Sequence, residues 1–366
     1  MKILVVGAGF AGCTAAHLLD RLGHEVTLIE KSDHLGGLST SRQYEDGRYY
    51  EPYGAHIFHT KNKKIWDFVS EFSKFNSYKH QKGMIIDGTL FHFPLCKDEI
   101  GLFPDKDVIL KELEFRPKTV DQTNFETAMI SLFGRTLYSK FIKNYSEKMW
   151  GPDFRSLPVS VGLDRIPIKT KKEVLFEDKY QGVPVKGYQN LFRKMLSSIR
   201  LRLSTSEFSK DDYDLVLYSG PIDELFHNCK GKLAYKGLEF VTRTEDRWEC
   251  LSYGTINLPD NPIYIRKSNF DTIYERKRDS NFLVQYQKSG LKRMYPFQSK
   301  EYESTFQEYL RLVADTNIIP IGRLGLFRYL NMDEAVWISM EVVSRLDEYI
   351  SLDQDGRVKL LNILRL

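Results

Sequence analysis

The sequence predicts an α/β fold in which one parallel-sheet domain is interrupted along the chain by a helical insertion and a further sheet domain. Three observations predict it. Lys2–Val6 and Glu25–Ile29 are short apolar runs, and the residues between them, 12–22, carry apolar side chains at helical spacing. That is a β-α-β unit. A strand-like run at 318–321 followed by a helical pattern at 332–349 restores the same alternation at the far end of the chain. Between them the pattern changes. Residues 106–139 read as helical, and 212–218, 233–243 and 281–286 read as strands. The expected division is a discontinuous parallel-sheet domain of residues 1–90, 190–232 and 315–366, a helical insertion of 91–160, and a sheet domain of 161–189 and 233–314. A chain of 366 residues is long enough to need more than one core.

Composition narrows the function. The 53 basic and 49 acidic residues leave a net charge of +4 with no basic stripe, which argues against a nucleic-acid partner. Aromatic residues reach 13%, which suits a protein that stacks flat rings, although most aromatics serve ordinary cores. Cys13, Cys96, Cys229 and Cys250 lack the spacing of a metal site, so no metal is expected and they read as free thiols in a reducing compartment. Met1 leads straight into the first strand, and no apolar run reaches membrane-spanning length. A cytoplasmic enzyme without a membrane span is the expectation.

Gly7-Ala8-Gly9-Phe10-Ala11-Gly12 fills the turn between the first strand and its helix. Gly7 permits the tight turn, Gly9 lets backbone approach a pyrophosphate, and Gly12 lets the helix pack close on the strand. Glu30 ends the second strand, where a carboxylate takes ribose hydroxyls. The parallel-sheet domain is therefore of Rossmann type. Just beyond, Glu30-Lys31 runs into a second paired-glycine turn, Gly36-Gly37-Leu38-Ser39. This resembles the extended flavin fingerprint of FAD oxidoreductases, which include the amine oxidases, and it implies FAD rather than NAD.

Four further segments resemble one narrower family, the UDP-galactopyranose mutases. They are the stretch from Tyr53 through His56, Ile57 and His59 to Thr60; Tyr145-Ser146-Glu147-Lys148-Met149-Trp150-Gly151; Tyr218-Ser219-Gly220-Pro221-Ile222-Asp223; and the stretch from Gly322 and Arg323 through Tyr329, Asn331 and Met332 to Asp333. Their order runs through nearly the whole chain. The resemblance implies a discontinuous Rossmann-type FAD domain with an inserted helical domain and a twisted antiparallel sheet domain, in a homodimer. It also implies a redox-neutral reaction that needs reduced flavin, supplied with electrons by an external reductant such as NAD(P)H. Flavin N5 attacks the anomeric carbon of a nucleotide sugar, the nucleoside diphosphate leaves, and the sugar recloses as a furanose before the diphosphate returns.

The same resemblance assigns roles. His56 and His59 pass the flavin ring, with Ile57 between them. Phe141, Tyr145 and Trp150 surround the nucleobase, which Trp150 stacks. Arg165 clamps the diphosphate, a task suited to a guanidinium fork, and Arg266 falls near a second family arginine. Tyr180, Tyr295 and Tyr329 line the cleft for the sugar diphosphate, while Ser219, Arg323, Tyr329 and Met332 touch the flavin. Several positions depart from the family pattern. Lys288 stands where a second diphosphate-clamping arginine is expected and lacks its bidentate fork. Leu175 replaces a tyrosine, Asn331 an aspartate, Met149 a glutamine, and Leu95-Cys96 a Phe-Asn pair facing the sugar. The implied substrate is UDP-galactopyranose, with dTDP-fucopyranose or another deoxy or modified nucleotide sugar as the alternative. A flavin oxidoreductase of the amine oxidase type is the second alternative.

The purified protein is expected to be yellow. Heat-released cofactor should co-elute with FAD on chromatography, and a colourless protein that cannot be reconstituted with FAD contradicts the reading.

Overall fold

In the computed structural model, which describes residues 1–159, 168–172 and 174–365, the chain forms two compact units. The first contains Met1–Asn76, Asp178–Tyr235 and Arg293–Leu366; the second contains Ser77–Glu177 and Lys236–Lys292. The fold is mixed α/β, as the sequence predicts. The helical stretch and the sheet, which the sequence separates, share the second unit.

The first unit is built on a parallel sheet in the order Ile318–Pro320, Leu215–Tyr218, Lys2–Val6, Glu25–Ile29, Arg200–Arg202. Ile3, Leu4 and Val5 are wholly buried, which is why the first strand reads as a continuous apolar run instead of an alternation. The strand order reverses between Lys2–Val6 and Leu215–Tyr218. In open parallel sheets that reversal point, at the carboxyl ends of the strands, is where ligands bind. The helix Phe10–Arg21 starts there, two residues earlier than its apolar spacing suggests, because Gly9 serves as its N-cap and Phe10 already faces the core. The helix Met332–Ser344 packs against it.

Several boundaries move for identifiable reasons. The helical pattern at 332–349 breaks at Arg345 into Met332–Ser344 and Leu346–Ser351. Ser344 Oγ bonds back to the Glu341 carbonyl there, competing with the helical ladder. The strand at 212–218 starts only at Leu215, because Lys210–Asp212 makes a tight helical turn.

The second unit carries a sheet in the order Tyr235–Glu245, Phe282–Pro296, Tyr264–Asn269, Thr255–Asn257, Lys82–Ile86, Thr89–Phe93, with its first two strands extending past the unit boundary in sequence. The sheet is not purely antiparallel: Thr255–Asn257 runs parallel to Lys82–Ile86. Those two strands are joined by a long crossover, which is what parallel pairing requires. The strand at 281–286 continues to Pro296, beyond the point where charged residues end the apolar run. The helical stretch 106–139 is interrupted. Lys106–Glu114 ends before Pro117, and Asn124 caps a new helix, Phe125–Leu137, by accepting from the Thr127 amide at 2.9 Å. Gly134 kinks that helix at φ 75°, and a Cβ there would sit 2.6 Å from Glu112 Oε2. The chain then passes through a wide turn, Tyr138–Lys143, into Asn144–Trp150. Among the described residues no helix is long and apolar enough to cross a membrane.

One buried charge organises the first unit. Asp223 is fully buried and accepts from Arg293 Nη1 at 3.1 Å and from the Leu233 amide at 3.1 Å. Asp223→Asn leaves Arg293 with the exposed Glu224, at 3.3 Å, in place of its buried carboxylate partner, and is expected to lower stability by about 2–4 kcal/mol in urea unfolding. A loss below about 0.5 kcal/mol, the range of ordinary surface changes, contradicts this.

Candidate functional site

The glycine turn in the first unit is shaped by close backbone approach. A Cβ on Gly12 would lie 1.9 Å from the Gly7 carbonyl oxygen, so only glycine lets the helix sit this near the strand end. A Cβ on Gly9, by contrast, would meet no protein atom within 4 Å. Gly9 is the N-cap and offers no side-chain bond to the first-turn amides, so those amides and the positive end of a 12-residue helix are available to an anion. The second glycine turn docks beside the first: the Gly36 amide donates to the Ala8 carbonyl at 2.8 Å. Glu30 is buried and accepts from the Ala8 amide at 2.8 Å, the Ser32 amide at 2.9 Å and Ser32 Oγ at 2.8 Å. A carboxylate has about four lone-pair sites, so one remains for a hydroxyl. These residues fit a dinucleotide diphosphate and its ribose.

Other members of the expected cofactor set divide by environment. Phe10 is a core residue, its ring 4.8 Å from Phe192 and 5.5 Å from Phe58. Ala11, Ser39 and Ile57 are buried, Gly37 and Leu38 half-buried, and Lys31 exposed. Ser219 Oγ bonds the Val6 carbonyl at 2.7 Å, which ties the strand ends together at the reversal point. Met332 packs partly buried against the core.

A second group in this unit centres on Arg323. Its guanidinium carbon lies 5.1 Å from the ring centres of both Tyr295 and Tyr329, which stack on each other at 5.7 Å. Its Nη2 donates to the Leu330 carbonyl at 2.5 Å. His56 Nδ1 lies 2.5 Å from the Gly54 carbonyl oxygen, so Nδ1 carries the proton. Burial, with the nearby Arg323 charge adding to it, pushes the His56 ring down to about 4. His56 is therefore a neutral imidazole at neutral pH. His59 sits in Phe58–Thr60, paired antiparallel with Tyr180–Gly182. Its Nδ1 is 2.6 Å from Asp178 Oδ2. Tyr180 stacks on Trp66 at 5.7 Å.

In the second unit, the segment 138–150 lays Phe141, Tyr145 and Met149, at i, i+4, i+8, onto one face of the sheet. Phe141 stacks on Phe93, Tyr145 Oη receives a hydrogen bond from Arg266 Nη2, and Met149 Sδ lies 3.6 Å from Gln287 Nε2. Asn257, Arg266 and Gln287 are directly opposite one another on three neighbouring strands, so their side chains share this face. The other face is apolar, with Ile256, Val284 and Tyr286. Asn257 is fully buried, and neither atom of its amide has a hydrogen-bond partner; Arg266 Nε also has none. A buried unsatisfied polar group costs about 1–3 kcal/mol, and a cluster of them marks a place where a polar ligand or water completes the bonding. Trp150 is half-buried at the end of the segment. Lys148 Nζ donates to the carbonyls of Asn261 at 2.6 Å and Tyr264 at 3.1 Å, fastening the segment to the turn before Tyr264–Asn269.

Comparison with known proteins places the chain in a family. The family model "UDP-galactopyranose mutase" matches residues 140–329, and a model of the NAD(P)-binding Rossmann-like domain matches residues 5–72. A probable UDP-galactopyranose mutase of Klebsiella pneumoniae is 30% identical over 370 residues, covering 96% of this chain and 95% of the relative. The chain belongs to the UDP-galactopyranose mutase family. It is thus an isomerase of a flavin-dependent family. A dTDP-fucopyranose mutase of Escherichia coli is 28% identical, covering 93% of this chain and 97% of the relative. The crystal structure of a reduced UDP-galactopyranose mutase shares the fold at a TM-score of 0.81 and 18% identity, covering 100% of this chain and 99% of that one.

Within this family the departures acquire physical settings. Lys288 does not join Arg266. A register shift between Tyr264 and Arg266 puts Gln287 opposite Arg266, so Lys288 projects from the other face and pairs with Glu239 at 3.1 Å. Asn331 is the N-cap of Met332–Ser344, and its backbone N–H donates to Glu334 Oε2 at 2.6 Å. Aspartate and asparagine are equally favoured at such a position. Cys96 and Leu95 are fully buried at the turn before Lys97–Leu102, and Leu175 donates its amide to the His80 carbonyl at 2.7 Å. Arg165 lies outside the described residues. Sequence reading missed Asn257, Gln287, Asp178 and Asp333. Asn257 alone carried a signal, as the polar member of Thr255-Ile256-Asn257 placed opposite an arginine once register is known.

The depressed His56 has a pH consequence. Between its ordinary value near 6.5 and about 4, the unfolded chain takes up a proton that the folded site refuses, so stability falls as pH falls through that window. Relative to His56→Gln, the native protein is expected to lose up to about 3 kcal/mol of unfolding free energy between pH 7 and pH 4. A stability difference that is flat across those pH values contradicts the neutral assignment.

Proposed function

We propose that this chain is an FAD-dependent mutase that interconverts the pyranose and furanose forms of a nucleotide-diphosphate sugar, active with reduced flavin, with UDP-galactopyranose as its substrate. The observation that carries the reading is the unsatisfied pair Asn257 and Arg266 under Tyr145. A face with an unpaired amide and an unpaired guanidinium nitrogen suits hydroxyls and phosphate oxygens. An oxidase for an apolar amine would gain nothing from it.

Reduced FAD, when bound, supplies the nucleophile for the anomeric carbon. The residues of this chain do the rest. The first-turn amides of Phe10–Arg21 hold the diphosphate of the cofactor, and Glu30 takes its ribose. His56, neutral, accepts at Nε2 without adding charge beside Arg323. Arg266 offsets the charge that develops on the departing nucleoside diphosphate, and Asn257 orients hydroxyls next to it. Trp150 and Tyr145 stack the base, and Phe141, one turn before Tyr145, is held by its stack on Phe93. Tyr180, Tyr295 and Tyr329 offer hydroxyl groups to the sugar diphosphate. Cys96, in place of an amide expected to face the sugar, favours a second reading in which the sugar is 6-deoxy, as in dTDP-fucopyranose. Electrons come from an external reductant such as NAD(P)H, and the protein works as a cytoplasmic homodimer.

Asn257→Leu separates function from folding. Replacing an unsatisfied buried amide by an apolar group of similar volume is expected to leave thermal stability unchanged or raise it. The specificity constant of the dithionite-reduced protein on UDP-galactopyranose and dTDP-fucopyranose, followed by NMR of the furanose product, should fall at least about tenfold, or 1.4 kcal/mol. A variant that is destabilised yet fully active, or a native protein that yields no furanose from either sugar, overturns the proposal.

A further inference from the structure

We infer that Asp178 is a positioning residue for His59: its carboxylate fixes the imidazole as the Nδ1–H tautomer, so that Nε2 is the accepting nitrogen of the neutral ring. The inference deepens the mutase reading, because it rests on His59 serving the flavin ring.

Geometry carries it. His59 Nδ1 and Asp178 Oδ2 are 2.6 Å apart, and both side chains are largely enclosed, 14% and 18% exposed. A surface ion pair of long, solvated side chains contributes little; this short, enclosed contact is of the charge-assisted kind. An ionised carboxylate only accepts hydrogen bonds, so the nitrogen facing it must carry the proton. The two residues are 119 positions apart and meet because Phe58–Thr60 pairs antiparallel with Tyr180–Gly182, with His59 opposite Gln181. Asp178 precedes that second strand by two residues. Gln181 Nε2 donates to the Asp178 carbonyl at 3.1 Å and holds the approach to the strand in shape.

A second carboxylate reaches the ring from another element. Asp333, in the first turn of Met332–Ser344, receives a side-chain hydrogen bond from Thr60 and feels the His59 ring electrostatically. Burial holds the Asp333 carboxyl above the ordinary range, against the pull of Thr60 and His59. His59 is thereby flanked by Asp178, bonded to one nitrogen, and by Asp333, tethered through the adjacent residue. His56 is set differently. Its Nδ1 proton goes to the Gly54 carbonyl, and a carbonyl fixes a tautomer without bringing a charge. The two histidines of this turn therefore present the same nitrogen but differ in partner: His56 is bonded to a carbonyl and depressed by burial and Arg323, whereas His59 has a carboxylate as its hydrogen-bond partner. One chain segment thus supplies two imidazoles oriented alike, one held by a neutral carbonyl and one by a carboxylate.

The test uses the FAD-bound protein labelled with 15N-histidine, in native form and as Asp178→Asn and Asp178→Glu, with the His59 signals assigned through His59→Gln. Native protein is expected to show a protonated Nδ1 and an accepting Nε2. An asparagine amide can donate to Nδ1, so Asp178→Asn should move the ring toward the Nε2–H tautomer. In the same variant kcat should fall at least about tenfold with KM changed less than about threefold, while FAD content and the flavin spectrum stay native. Asp178→Glu should recover the native tautomer and part of kcat. If Asp178→Asn keeps the native tautomer, or changes only thermal stability with kcat intact, Asp178 is structural and the inference is wrong. The NMR readout stands apart from turnover. Should the native protein bind no FAD or isomerise no nucleotide sugar, the mutase reading fails, and the tautomer result alone still upholds or overturns the Asp178–His59 assignment.

Discussion

The first unit depends on how closely the helix Phe10–Arg21 approaches the end of the strand Lys2–Val6. At Gly12 a single methyl group would fall 1.9 Å from the Gly7 carbonyl oxygen. Because that methyl is missing, the helix N-terminus can sit directly above the point where the strand order reverses. The uncapped amides at Gly9, the buried Glu30 and the Ser219 bond to Val6 all take their places from this contact. A larger residue at position 12 would push the helix outward and move every one of these groups away from a dinucleotide. The aromatic cluster of Phe10, Phe58, Tyr188 and Phe192 then fills the space behind the turn, so the anion-binding end is backed by rigid packing.

The second unit works from the opposite principle. Its sheet buries an apolar face around Ile256, Val284 and Tyr286 and keeps a polar row, Asn257, Arg266 and Gln287, under the segment 138–150. Such a row weakens the free protein, since its unpaired amide is buried for no internal gain. The cost is offset when a polar ligand or water completes the bonding. A fold selected for stability alone would place leucine or valine there. Under the proposed function, the polar row trades stability for substrate binding.

The β-α-β unit, the glycine turns and Glu30 were legible in the sequence because each depends on neighbours close along the chain. So was the interruption before Phe125, in retrospect, since Pro117 and the Asn124 cap are local signals that the helical pattern over 106–139 obscured. What depends on register was not legible. The partners Asp178 and His59 are 119 residues apart, and nothing at either position marks the other. Lys288 looked like the counterpart of a clamping arginine, yet the shift at Tyr264 and Arg266 turns it to the other face and gives Gln287 the place opposite Arg266. Side-chain alternation makes such one-residue shifts decisive and leaves no trace of them in composition. Asn331, expected at the substrate, also stands at the N-cap of Met332–Ser344, a position that only the helix boundary reveals.

The proposed mutase reaction uses a flavin without consuming electrons. The most direct measurement is the ratio of furanose product to reducing equivalents, under anaerobic conditions, after one stoichiometric reduction of the FAD-bound protein. The account predicts many product molecules per flavin, with the flavin spectrum still that of the reduced form when turnover ends. Product limited to one per reduced flavin, or turnover accompanied by matching reoxidation, would contradict it.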